Sequence, residues 1–137
     1  MTLAATATGL SRPDRAEFAG GVRGLLRLEG AAAVAGAAAL YAHAGYSWRL
    51  FAVLFLVPDV GMLGYLAGPK AGAATYNALH VYVAPFLLAV LGLGLASKTA
   101  VAVAMIWAAH IGFDRALGYG LKYPTAFGDT HLGRKGR

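Results

Sequence analysis

The chain contains no cysteine, which excludes disulfides, zinc–thiolate sites and thiol chemistry. Charge is scarce as well. Only 13% of the 137 residues are Asp, Glu, Lys or Arg, while 58% are hydrophobic. Soluble domains carry about 25% charged residues, and a small one needs them because much of its surface stays in water. This chain cannot build such a surface, and lipid is the environment that fits. Acidic residues are the rarer sign, 6 against 12 Lys and Arg, for a net charge of +6. The basic residues gather at the ends of apolar runs and in the tails. There they read as topology signals and contacts with anionic lipid headgroups, and nucleic acid is not an expected partner. A cleavable signal peptide is not evident either. Residues 1–20 lack a basic start followed by an apolar run, and Arg12, Asp14, Arg15 and Glu17 interrupt the stretch. The first apolar helix is therefore expected to act as an uncleaved anchor.

What the sequence does contain is four apolar stretches, each near or above the ~20 residues that a bilayer core requires. They predict an all-α, four-helix transmembrane bundle over residues 24–121, with antiparallel up-and-down helices at about 24–44, 50–67, 71–96 and 99–121. The first is rich in Ala and Gly over residues 30–39, which lets helix backbones approach closely. Tyr41, Tyr46 and Trp48 form an interfacial belt after it. Residues 1–23 read as a polar N-terminal segment, partly disordered or a surface helix, with Ser11 as a cap and Pro13 in the first turn. Residues 122–137 read as a basic tail, mobile unless tied down. Lys and Arg counts set the orientation. Arg12, Arg15, Arg23, Arg27, Lys70, Lys122, Arg134, Lys135 and Arg137 fall on one side, and only Arg49 and Lys98 on the other. The positive-inside rule places both termini in the cytoplasm.

Ionisable residues inside a membrane span are costly and are functional candidates by default. At ~1.5 Å of rise per residue, Glu29 lies roughly 8 Å from the cytoplasmic helix end, Asp59 roughly 12 Å, and Asn77 and Asp114 roughly 10 Å. His80 and His110 lie roughly 15 Å in. Helices of alternating direction thus place their polar residues in one layer. His110 and Asp114 share a face at i,i+4, and Asn77 and His80 share one at i,i+3. Inward His and carboxylate groups on four helices can build a metal site. Such ligands suit a divalent metal: zinc, iron or manganese. The expected ligands are Asp59, His80, His110 and Asp114, with Glu29 and Asn77 as outer or alternative ones. Pro58 and Pro85 each remove a backbone donor near this layer and are expected to kink their helices. In the tail, Asp129 and His131 are candidates to fold back across the mouth and complete a site, or to act as acid and base there.

The residue strings Pro58-Asp59, Met62-Leu63-Gly64-Tyr65-Leu66-Ala67-Gly68 and Tyr76-Asn77-x-x-His80 resemble a family of small bacterial membrane proteins, domain-of-unknown-function family 4260. The most specific string is His110-Ile111-Gly112-Phe113-Asp114-Arg115-x-Leu117-Gly118-Tyr119-Gly120-Leu121-Lys122-Tyr123, followed by Phe127 and Thr130-His131-Leu132-Gly133. The resemblance covers residues from about 25 to about 134. It implies a four-helix protein of the bacterial cytoplasmic (inner) membrane and carries no established activity. Bacterial inner-membrane metal-dependent hydrolases also place Asp and His on their helices, a likeness of residue type alone.

Three functions are compatible with these observations. The favoured one is a metal-dependent, hydrolase-like membrane enzyme acting on an amphipathic substrate. In it Glu29 takes a proton, Arg115 meets an anionic headgroup, and His131 contributes from the tail. The second is a proton or ion transport component, for which a chain this small needs to form a homo-oligomer. The third is a structural membrane protein whose polar layer fixes helix packing.

Overall fold

The computed structural model describes the backbone of residues 12–135 and the side chains of residues 19–135. The expected Ser11 cap and the start of the polar segment lie outside the described residues. Helix α1 spans Arg12–His43, α2 Trp48–Leu54, a 3₁₀ helix Val57–Ala67, α3 Pro69–Leu79, α4 Val83–Gly94 and α5 Lys98–Leu117. A small hairpin, β1 (Asp129–Thr130) and β2 (Gly133–Arg134), closes the chain. Among the described residues, four stretches are long and apolar enough to cross a membrane: Ala19–His43, Trp48–Ala67, Pro69–Gly94 and Lys98–Leu117. The protein is therefore mostly helical, with the four spans its sequence predicts. Leu25, Val53, Leu66, Phe86 and Leu93 are exposed, as lipid-facing side chains are.

Spans 1 and 4 are unbroken; spans 2 and 3 are not. The prolines account for both breaks. A proline lacks the N–H for the carbonyl four residues back, and its ring clashes with that carbonyl. Pro58 does this to Leu54, where α2 ends. Pro85 does it to Val81, within the gap between α3 and α4. The expected kinks are thus complete interruptions.

After the first break, span 2 continues as a 3₁₀ helix of 11 residues. Runs beyond 3–4 residues are uncommon for this geometry, so this one needs support. It comes from a period of three. In a 3₁₀ helix, side chains at i and i+3 eclipse, so Pro58, Gly61, Gly64 and Ala67 form a straight line of small residues. Along that line α3 approaches closely. A Cβ on Gly61 would sit 2.9 Å from the Thr75 carbonyl oxygen, and one on Gly64 would collide with the Thr75 side chain. The Thr75 hydroxyl donates to the Gly61 carbonyl at 2.6 Å. The larger 3₁₀ rise also gives this 20-residue span a length of about 35 Å, enough for a hydrocarbon core of about 30 Å.

Helix α5 is the hub: α1, α2 and α4 all pack on it. It meets α1 backbone to backbone at Gly112. A Cβ there would lie 2.7 Å from the Val34 nitrogen and 2.9 Å from the Gly30 carbonyl. The helix stops at Leu117, short of the expected residue 121, because Gly118 adopts φ +86° and takes a left-handed cap. The Tyr119 N–H then bonds back to the Asp114 carbonyl at 2.7 Å. Among the described residues, the tail is folded back and tied down. Asn77 clamps it: its side-chain oxygen accepts from the Lys122 N–H at 2.7 Å, and its amide donates to the Lys122 carbonyl at 2.9 Å.

Candidate metal centre

The two helix breaks and the hub helix bring four side chains to one point. Asp59 comes from the first turn of the 3₁₀ helix, His80 from the C-cap of α3, and His110 and Asp114 from α5. One ligand atom from each lies within 4.8 Å of all the others. His80 Nε2 is 3.1 Å from His110 Nε2, 3.5 Å from Asp59 Oδ1 and 3.4 Å from Asp114 Oδ2. His110 Nε2 is 3.6 Å from Asp59 Oδ1 and 3.9 Å from Asp114 Oδ2. Four ligands about 2.05 Å from a tetrahedral ion stand about 3.3 Å apart. The observed separations bracket that edge, so these residues could hold a metal ion.

The surroundings orient the donors. His80 Nδ1 is 2.8 Å from the Tyr76 carbonyl. A carbonyl only accepts, so Nδ1 carries a proton, and Nε2 is the ring atom that faces the cluster. The Tyr76 ring stacks on the imidazole at 3.7 Å and 11°, and its hydroxyl donates to Asp114 Oδ2 at 2.9 Å. Phe55 meets His110 edge-on, with ring centroids 5.4 Å apart. His110 is less fully braced, since its Nδ1 is buried without a hydrogen-bond partner among the described residues. Both histidines are buried, while Asp59 and Asp114 keep 28% and 14% of their side chains exposed. The cluster is therefore reached from its carboxylate side.

The cations nearby are engaged elsewhere. Among the described residues, the only basic side chains within 4.0 Å of the Asp59 and Asp114 carboxylates are the two imidazoles. Arg115 donates to the His80 carbonyl at 3.0 Å and the Tyr119 carbonyl at 3.1 Å. It thereby satisfies backbone that the break at His80 leaves open. Trp107 does the same for the Leu79 carbonyl at 2.7 Å. Lys122 is 6% exposed and donates to the Phe127 carbonyl at 2.9 Å. Its ammonium sits 3.7 Å from the Phe127 ring centroid and 4.7 Å from that of Tyr76. Burial pushes this amine below its ordinary range, and Asp114 and Asp59 offset part of the shift.

Asp59, Met62, Tyr76, Asp114, Tyr119, Lys122 and Phe127 line a vestibule of about 280 Å³ beside the cluster. Glu29, Arg115 and His131 line a separate chamber of about 210 Å³ with Tyr82. Those three residues are thus brought together, but around a different cavity from the four donors. Asn77 spends its amide on the tail and is outside the donor set. Asp129 pairs with Arg134 at 3.1 Å and accepts from Thr125 at 2.7 Å. His131 accepts the Leu121 N–H at 2.8 Å. Burial first and Arg115 second hold its imidazole below the usual range.

Sequence reasoning missed Tyr76 and Lys122. The i,i+4 spacing of Tyr76 and His80 was a usable signal. Lys122 had none, because its approach depends on the folded tail.

A family model described as a domain of unknown function, DUF4260, matches residues 23–135. The chain belongs to the DUF4260 family. All four candidate ligands of this DUF4260 protein, and the tail that covers them, lie within the matched region. No curated protein and no solved structure matches the chain.

Proposed function

We propose that the protein is a metal-dependent membrane enzyme of hydrolase type, acting on an amphipathic substrate at the cytoplasmic face of a bacterial inner membrane. The observation that carries this reading is the convergence of Asp59, His80, His110 and Asp114 within 4.8 Å. Two carboxylates and two neutral imidazoles carry a charge of −2, which a dication cancels. Zinc, iron and manganese all accept this donor set. The dication supplies Lewis acidity toward a carbonyl or phosphoryl oxygen. The chain's own residues do the rest. Tyr76 holds the His80 ring and the Asp114 carboxylate in place, Arg115 secures the broken backbone at His80, and the tail bounds the vestibule. Glu29 and His131 form a second polar chamber suited to proton exchange. The excess of Lys and Arg near the termini supports a cytoplasmic mouth.

The test is metal-dependent hydrolysis of micellar ester substrates by detergent-purified protein. Activity is expected to vanish in chelator, return with one added dication per chain, and be absent in Asp59→Asn while helicity is kept. Unchanged activity in chelator, or no hydrolysis at all with metal bound, contradicts the reading.

One observation favours a second reading, proton relay: the direct 3.1 Å contact between the two imidazoles. It predicts a proton flux in proteoliposomes that His80→Ala abolishes.

A further inference from the structure

We infer that the substrate group admitted to the vestibule is a phosphoryl oxyanion, and that Lys122 is the residue that selects it. This rests on the metal reading above and adds the substrate class.

The argument is one of charge and position. A dication cancels the two carboxylates of the donor set, and Lys122 then leaves the vestibule with one positive charge in excess. An unpaired buried charge is costly, so a ligand bearing negative charge is the natural complement. The ammonium is held in place from three sides. Its N–H donates to the Phe127 carbonyl, the Phe127 and Tyr76 rings flank it, and the Asn77 clamp fixes its backbone on both sides. Such bracing is more than a topology signal requires. It presents a cation on the wall that also carries the exposed edges of Asp59 and Asp114. An ammonium has three donors, and the Phe127 carbonyl takes one.

A phosphoryl group offers several equivalent oxygens, so one can meet the dication while another meets the ammonium. A neutral ester cannot complete that charge. Met62 and Phe127 give the vestibule an apolar wall, compatible with the alkyl portion of an ester. Hydrolysis needs only water: its OH adds to phosphorus, the P–O bond to the alcohol breaks, and the remaining proton goes to the departing oxygen. The phosphoryl group can come from a membrane lipid or from a soluble ester.

The experiment is calorimetric titration of zinc-loaded protein in uncharged detergent with inorganic phosphate, micellar phosphatidic acid and micellar diacylglycerol. Zinc content is measured on the same samples. Phosphatidic acid or phosphate is expected to bind and diacylglycerol not to. Tighter binding of phosphatidic acid assigns the group to a lipid, and equal affinity assigns it to soluble esters. Lys122→Met, which keeps the aliphatic stem, is expected to retain zinc and weaken phosphate by at least about tenfold. Lys122→Arg is expected to lose less. Equal phosphate affinity in wild type and Lys122→Met, or binding of diacylglycerol as tight as phosphatidic acid by wild type, overturns the inference and leaves the metal reading standing. Zinc missing from the wild type overturns both.

Discussion

Spans 1 and 4 are continuous helices that touch backbone to backbone at Gly112, whereas spans 2 and 3 are each interrupted by a proline beside the His/Asp cluster. The contrast shows what a polar site in a membrane requires. Broken backbone in lipid must find internal partners, and at the break in span 3 it does, from side chains of the unbroken span 4. Trp107 takes the Leu79 carbonyl and Arg115 takes the His80 carbonyl. One pair of spans supplies rigidity. The other supplies irregular ends that turn Asp59 and His80 inward.

That division of labour can be broken most forcefully in the unbroken pair. Gly112→Leu places a side chain where a Cβ already lies 2.7 Å from the Val34 nitrogen. It is expected to cost about 3 kcal/mol or more, or to prevent folded protein from accumulating. Gly36→Leu, on the facing helix α1 and with nothing within 4 Å of its Cβ position, should be tolerated. Thermal unfolding in detergent followed by size-exclusion chromatography compares the two. If both variants are equally stable, the close crossing is not what holds spans 1 and 4.

Next in size is the support of the broken pair. Arg115→Met leaves the buried His80 carbonyl without its donor and should cost about 2 kcal/mol. The loss is expected to appear together with weaker metal retention, because the His80 ring follows its backbone. Trp107→Phe removes one neutral donor and should cost about 1 kcal/mol, with metal content unchanged. The same denaturation assay separates these from each other.

The smallest effect is one of pH on the tail. His131 titrates below its usual range in the folded state, so the folded protein binds fewer protons than the unfolded chain between that lowered value and 6.5. Tail stability is therefore full above 6.5 and falls as pH drops through that window, where the imidazolium can no longer accept from Leu121. Limited proteolysis of the tail should be faster at pH 5 than at pH 7.5, and His131→Gln should flatten the difference.

Much of this was legible in the sequence. The apolar stretches give the four spans, and the depths of Asp59, His80, His110 and Asp114 point to one layer because rise per residue is fixed. Pro58 and Pro85 mark the breaks. The 3₁₀ segment was legible only in hindsight. Pro58, Gly61, Gly64 and Ala67 recur every three residues, yet small residues in a membrane helix usually signal ordinary packing. The tail was not legible, since its order depends on Asn77, which is 45 residues away from Lys122 in sequence. Helix rotation cannot be read from spacing alone either, and for that reason Glu29 and Asn77 share the layer's depth without joining the donors.

The most direct measurement is X-ray absorption spectroscopy of zinc-reconstituted protein, alongside its His110→Ala variant. The account predicts one zinc per chain, bound by nitrogen and oxygen only at about 2.0–2.2 Å, with an imidazole signal that falls by half in the variant. A spectrum without imidazole, or zinc binding that is indifferent to His110, would contradict it.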